Sequence, residues 1–201
     1  VPVYRCPLDP GTGRWAKFTD PTSGTTYSGI APNAGFASTN YMASIGNDTR
    51  DRTNAGTRGL FGTNSSVRFR DITDGTSNVL AVSEAIIGFP NRAVNATGPA
   101  ATETCPSGGP TTDSQRARGY SWFYGERPVA YLFSARVPPN ATTWDCGANT
   151  DRALFASRSA HVGSVHSLLA DGAVRQISDN VDLTTWQNLG NKDDENQLGD
   201  F

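Results

Sequence analysis

Ser164-Val165-His166-Ser167-Leu168-Leu169-Ala170 runs into Asp171-Gly172 and leaves it as Ala173-Val174-Arg175-Gln176-Ile177-Ser178. Two runs rich in Val, Leu and Ile on either side of Asp-Gly form the pattern of a β-hairpin. The dipeptide supplies two central turn residues at positive φ, a geometry whose twist matches that of the flanking strands. Just downstream, Asp182 reads as an N-cap. Leu183, Trp186 and Leu189 follow at i, i+3 and i+6, with Gly190 behind them. That spacing predicts a short helix over 183–189 with one apolar face, stopped by glycine. Strand, turn, strand and helix point to an α+β fold, mainly antiparallel sheet.

Upstream, Val67-Arg68-Phe69-Arg70-Asp71-Ile72 alternates apolar with charged residues, as a half-buried strand does. Thr73-Asp74-Gly75-Thr76 is a turn signal. The apolar stretch 77–87 predicts a second, central strand, so Asp74-Gly75 also reads as a hairpin turn. Tyr41-Met42-Ala43-Ser44-Ile45-Gly46 predicts another short strand. Between these lie long polar loops, the longest over 88–118. The whole of 1–201 reads as a single domain with few short helices.

Composition removes several classes. Only 36% of the 201 residues are hydrophobic, against 21 Gly and 12 Pro, which excludes a helical bundle. No apolar run approaches the roughly 20 residues of a membrane span, so the chain as given is not expected to insert in a membrane. A net charge of −2 gives no support to nucleic-acid binding. The basic residues other than Lys17 and Lys192 are all Arg, which suits planar ion pairs. The chain opens at Val1 on a Pro-containing extended segment without a signal peptide, and any targeting element is expected upstream.

Cys6, Cys105 and Cys146 lie in loop-like sequence without metal-ligand spacing such as C-x-x-C. A disulfide in an oxidising compartment is the expectation. Three pairings are possible; Cys105 with Cys146 is favoured because they bracket one loop-rich stretch. His161 and His166 are the only histidines, and a spacing of five places them on opposite faces of one strand, unable to share a metal. No nucleophile elbow, phosphate loop or dinucleotide fingerprint is present, so no catalytic residue is assigned. Asp193, Asp194 and Glu195 read first as a solvated turn; as the alternative they offer hard oxygen ligands for calcium, without EF-hand spacing. Trp122, Phe123 and Tyr124, with Trp144, form an aromatic group that reads first as core and, as the alternative, as a surface for stacking on glycans. Sequons occur at Asn47, Asn64, Asn95 and Asn140.

Three ordered motifs then carry a family resemblance. His161 is followed by nine residues and Asp171-Gly172; Asp71-Ile72-Thr73-Asp74-Gly75-Thr76-Ser77-Asn78 runs on to Glu84; Cys6-Pro7-Leu8-Asp9-Pro10 stands near the start. The chain resembles the DUF1559 family, pilin-like secreted proteins expanded in planctomycete bacteria and marked by an H-X9-DG signature. The resemblance implies a pilin- or pseudopilin-like globular domain at the cell surface or outside the cell. It also implies an upstream leader and hydrophobic helix, and partners that are copies of itself or related subunits. It supplies no catalytic residue. The matched His161, Asp74, Gly75, Asn78, Glu84, Asp171 and Gly172 read as structural positions, with both aspartates capping their own turns.

Overall fold

The computed structural model describes residues 2–9, 18–19, 26–27, 38–47, 57–62, 64–88, 91–94, 118–119, 131–142, 145–148 and 152–201. Their strands, in chain order, are β1 (Phe18–Thr19), β2 (Thr26–Tyr27), β3 (Tyr41–Ser44), β4 (Leu80–Glu84), β5 (Asn91–Val94), β6 (Leu132–Phe133), β7 (Asp145–Ala148), β8 (Arg152–Leu154), β9 (Ser164–Leu169) and β10 (Val174–Ser178). One α-helix, α1 (Leu183–Gly190), follows. The main sheet has the order β10-β9-β4-β3-β6; β5-β7-β8 form a second sheet and β1-β2 a small hairpin. The fold is α+β, as expected. It is not purely antiparallel, because β3 pairs with β6 and β5 with β7 in parallel.

Pairing sorts the side chains of the main sheet onto two faces. Met42 lies opposite Ser83, Ser83 opposite Ser167, and Val165 opposite Ile177. This face carries the core, where Met42, Leu80, Phe133, Val165, Leu169 and Ile177 meet Trp186 and Leu189 of α1. Trp186 is fully buried, and its indole N–H donates to Val137 O at 2.8 Å, so the ring enters the core without stranding a donor. Alternation sends Tyr41, Glu84 and His166 to the other face.

The helix begins as its sequence dictates. The Asp182 carboxylate accepts from Thr185 N–H at 2.9 Å. Gly190 is the last helical residue, and close packing explains it: a Cβ there would lie 2.7 Å from Ala135 Cβ.

The hairpin β9–β10 has the expected strands but a different turn. Leu168 pairs with Val174, Gly172 N–H donates to Leu169 O at 3.0 Å, and Leu169 N–H donates to Ala173 O at 2.8 Å. The loop is therefore three residues, Ala170-Asp171-Gly172, with only Gly172 at positive φ (+91°). This is a tight turn closed by a glycine bulge, the next commonest hairpin connection. Asp171 caps it by accepting from Ala173 N–H at 2.8 Å.

The expected strand at 67–72 is not formed. Phe69–Asp71 is a 3₁₀ turn with Phe69 76% exposed. The Asp71 carboxylate accepts from Arg68 N–H at 2.9 Å and closes the chain locally. Both edges of β4 are already taken by β3 and β9, so no strand could add there. Asp74-Gly75 consequently joins no hairpin. Gly75, at φ +89°, leads into a second 3₁₀ turn, Thr76–Asn78, and the strand expected over 77–87 is confined to Leu80–Glu84.

Gly172 tests the turn assignment. No atom lies within 4 Å of a Cβ built there, so a substitution is opposed by backbone strain alone. Gly172→Val should lower the unfolding free energy by about 1–3 kcal/mol. Gly172→Asn should cost less, since Asn visits the left-handed region. Denaturant titration of the two variants beside the parent checks this; equal midpoints for all three would reject the assignment.

Candidate functional site

Glu84 closes β4 on the face away from α1, opposite Tyr41 of β3. It is only 3% exposed, so its carboxylate must find partners inside the protein. Oε2 accepts the His166 backbone N–H at 2.8 Å and lies 3.6 Å from His166 Nδ1. Oε1 lies 3.5 Å from His161 Nε2. The two imidazoles meet edge to face with centroids 4.3 Å apart. This corrects the reading that a spacing of five separates them. His161 precedes the strand, in a turn where Ser159 Oγ accepts His161 N–H at 3.1 Å. Gly163, at φ +70°, then redirects the chain into β9.

The N-terminal segment completes the cluster. Cys6, a buried free thiol, places Sγ 3.7 Å from His161 Nε2. Asn40, just before β3, holds this segment down. Its side-chain oxygen accepts Cys6 N–H at 2.8 Å, its amide donates to Ala85 O at 2.8 Å and to the Asp9 carboxylate, and its own N–H donates to Tyr4 O at 2.9 Å. Asp9 also accepts Ile87 N–H at 2.8 Å, just beyond β4. The turn at Cys6-Pro7-Leu8-Asp9 is closed by Asp9 N–H on Cys6 O at 3.1 Å.

Ligand atoms of Cys6, Glu84 and His161 all lie within 4.8 Å of one another, the one such group of three among the described residues. A thiol, a carboxylate and an imidazole are the donor types of a divalent transition-metal site. Tyr41 borders it, and its phenol pKa is raised by burial first and then by Cys6 and Glu84.

The other motif residues serve the framework. Asp74 does not cap its own turn; its carboxylate accepts Asp194 N–H at 3.0 Å and Glu195 N–H at 2.8 Å, clasping the C-terminal tail. The Asn78 amide donates to Asp74 O at 2.9 Å. Around the candidate calcium ligands, Asp193 pairs with Lys192 at 3.3 Å and Asp194 accepts the Asn191 amide at 2.6 Å. With Glu195, these carboxylates do not gather on one point. Trp122, Phe123, Tyr124, Trp144, Cys105 and Asn95 lie outside the described residues. Cys146 is buried on β7. Of the sequons, Asn140 is committed to packing. Its amide donates to Asp179 at 2.7 Å and to Ser164 O at 3.3 Å, and its oxygen accepts Ser159 N–H at 2.7 Å.

Sequence reasoning missed His166, Asn40 and Asp9 as parts of one arrangement and treated Cys6 only as a disulfide remainder. One signal was available: the three shared motifs contribute one thiol, one carboxylate and one imidazole, and these three converge.

A family model described as a protein of unknown function (DUF1559) matches residues 1–184. The chain belongs to the DUF1559 family. No curated protein and no solved structure matches it. The matched span contains all three motifs, so the cluster of Cys6, Glu84 and His161 sits wholly within the DUF1559 region.

Asn40 is the pin for the N-terminal side of this site. Asn40→Ala removes bonds to Cys6, Asp9 and Ala85 and should cost about 1–3 kcal/mol from the buried groups it strands. It should also release residues 2–9 locally, so alkylation of Cys6 in the folded protein should accelerate at least tenfold. An unchanged alkylation rate would show that Asn40 does not hold the segment.

Proposed function

We propose that this DUF1559 domain is a non-enzymatic structural subunit of an extracellular or cell-surface filament, or of a secretion-associated assembly. Its partners are copies of itself or related pilin-like subunits. The observation that carries the reading is the attachment of the N-terminal segment. In a filament built through an N-terminal helix, load enters the globular domain at the first residues. Here residues 2–9 are tied through Asn40 and Asp9 to the start of β3 and the end of β4, two inner strands of the main sheet. A pull on the N-terminus is then borne by the middle of the sheet rather than by a peripheral loop. The family's motif residues support the same reading, since Asp74, Asn78, Asp171 and Gly172 all act in turns and clasps.

Among the described residues no helix is long and apolar enough to cross a membrane. In this proposal polymerisation runs through an apolar N-terminal helix joined ahead of Val1. The chain as given should run as a monomer in size-exclusion chromatography. Extended by such a helix, it should become membrane-bound or polymeric, because subunit contacts bury apolar surface that water otherwise disfavours. Electron microscopy should then show filaments. A monodisperse extended chain, together with micromolar binding of the short chain to a glycan array, would replace this proposal with a glycan-binding module.

The proposal places the domain in an oxidising compartment and pairs Cys105 with Cys146. A non-reducing peptide map should show those two peptides linked and the Cys6 peptide unlinked. In the chain-entropy account, a bridge closing a loop of about 40 residues contributes about 3–4 kcal/mol, so reduction should lower the unfolding midpoint measurably. Finding both peptides as free thiols in secreted material would reject the pairing.

A further inference from the structure

We propose that Cys6, Glu84 and His161 form a zinc-type transition-metal site, with His166 as the residue that positions the Glu84 carboxylate. The inference is independent of the filament reading, since it rests on the convergence of three side chains from separate segments.

The geometry is the first argument. His161 Nε2 faces Cys6 Sγ at 3.7 Å and Glu84 Oε1 at 3.5 Å simultaneously. The carboxylate contact is well beyond the roughly 2.9 Å of a good N–H···O bond, and one ring N–H cannot serve both neighbours. A metal ion can. With zinc bonds of about 2.3 Å to sulfur and about 2.0–2.2 Å to nitrogen and oxygen, a tetrahedral shell has S···N edges of about 3.6 Å and N···O edges of about 3.4 Å. These two separations match those edges to within a few tenths of an ångström, and all three ligand atoms lie within 4.8 Å of one another.

Donor chemistry is the second argument. Thiolate and imidazole together favour zinc over calcium or magnesium, which take oxygen ligands. A thiolate and a carboxylate balance the two charges of the ion, leaving a neutral centre in a site where Cys6 and Glu84 are buried. Binding releases the thiol proton to solvent. His161 and His166 are 24% and 37% exposed, so the site is open on the imidazole side and a water can take the fourth position. His166 supports this arrangement from outside the ligand shell. Its backbone N–H and Nδ1 both face Oε2, which turns Oε1 toward His161.

The test uses the full chain, freed of metal by a chelator with Cys6 kept reduced, and cobalt(II) as the probe. Titration should produce a saturable thiolate-to-cobalt charge-transfer band in the near ultraviolet and strong visible bands of a four-coordinate ion. Zinc should abolish both. Cys6→Ser should remove the charge-transfer band. His161→Gln and Glu84→Gln should each weaken cobalt binding at least 100-fold, and His166→Gln on the order of 10-fold with an unchanged unfolding midpoint. If Cys6→Ser does not fold, the unmodified chain still decides the matter. Zinc, but not magnesium, should protect Cys6 from iodoacetamide, read by mass spectrometry of the Cys6 peptide. No charge-transfer band with the parent protein, a band that survives in folded Cys6→Ser, or equal alkylation with and without zinc would each overturn the assignment.

Discussion

A buried carboxylate, that of Glu84, constrains the rest of the structure. Taking an ionised carboxyl out of water is costly unless hydrogen bonds and opposite charge meet it. The His166 N–H can reach Oε2 only if β9 lies against β4 in one register. That register contains an irregularity between Leu80 and Val82, where β4 spends two residues against one of β9. Such a bulge re-aims the residues beyond it. Here it leaves Ser83 on the helix side, opposite Ser167, and sends Glu84 to the other face. His161 and Cys6 then come to Glu84 from two different directions, which explains why the segments 2–9 and 159–163 both close over the same end of the sheet.

Polar pins of this kind recur, as a chain with 36% hydrophobic residues requires. Ser83 Oγ lies 2.6 Å from Ser157 Oγ and 2.8 Å from Ser167 Oγ, joining the 154–158 segment to the core face. Asp145 of β7 sits between two buried guanidinium groups, 3.3 Å from Arg118 Nε and 2.9 Å from Arg158 Nη2. Burial pushes the Arg118 pKa down to about 10, Asp145 opposing that shift and Arg158 adding to it. Arg118 therefore stays charged at neutral pH. Its Nη1 donates to Leu132 O at 2.5 Å, so the same arginine ties the second sheet to β6 of the first. Desolvation offsets much of the attraction within such a buried network, so its presence is weak evidence of net stabilisation. The Arg-for-Lys bias in the composition has a structural use here: a planar fork can serve a carboxylate and a carbonyl at once.

The C-terminal hairpin and helix were legible because their signals are local. Asp182 caps α1, and the apolar alternation of β9 and β10 needs no distant partner to be read. The stretch 67–72 misled because alternation alone cannot register that both neighbours of β4 are occupied. The Asp74-Gly75 turn misled for a related reason: its carboxylate is used 120 residues away, by Asp194 N–H. The candidate cluster was half legible. Each of its ligand-type residues sits in a motif shared with the family, but periodicity placed both histidines on one strand. The bend at Gly163 that takes His161 off that strand leaves no periodic trace.

The spacing in the H-X9-DG motif acquires a physical meaning from this geometry. Asp171 and Gly172 belong to the turn at the far end of β9, while His161 stands just before its start. The nine intervening residues are the bend at Gly163, the strand and the first turn residue. The motif therefore measures the length of β9 between a turn that begins β10 and a side chain that must meet Glu84. Inserting one residue within the strand would flip every side chain beyond it to the opposite face, because the strand period is two. His161 and the core residues Val165 and Leu169 could not then all keep their places. Compensation by a second bulge would have to restore the face without lengthening the reach to Glu84. A spacing held by both a turn and a buried partner leaves room for neither, which makes the motif a ruler for the distance between hairpin and cluster.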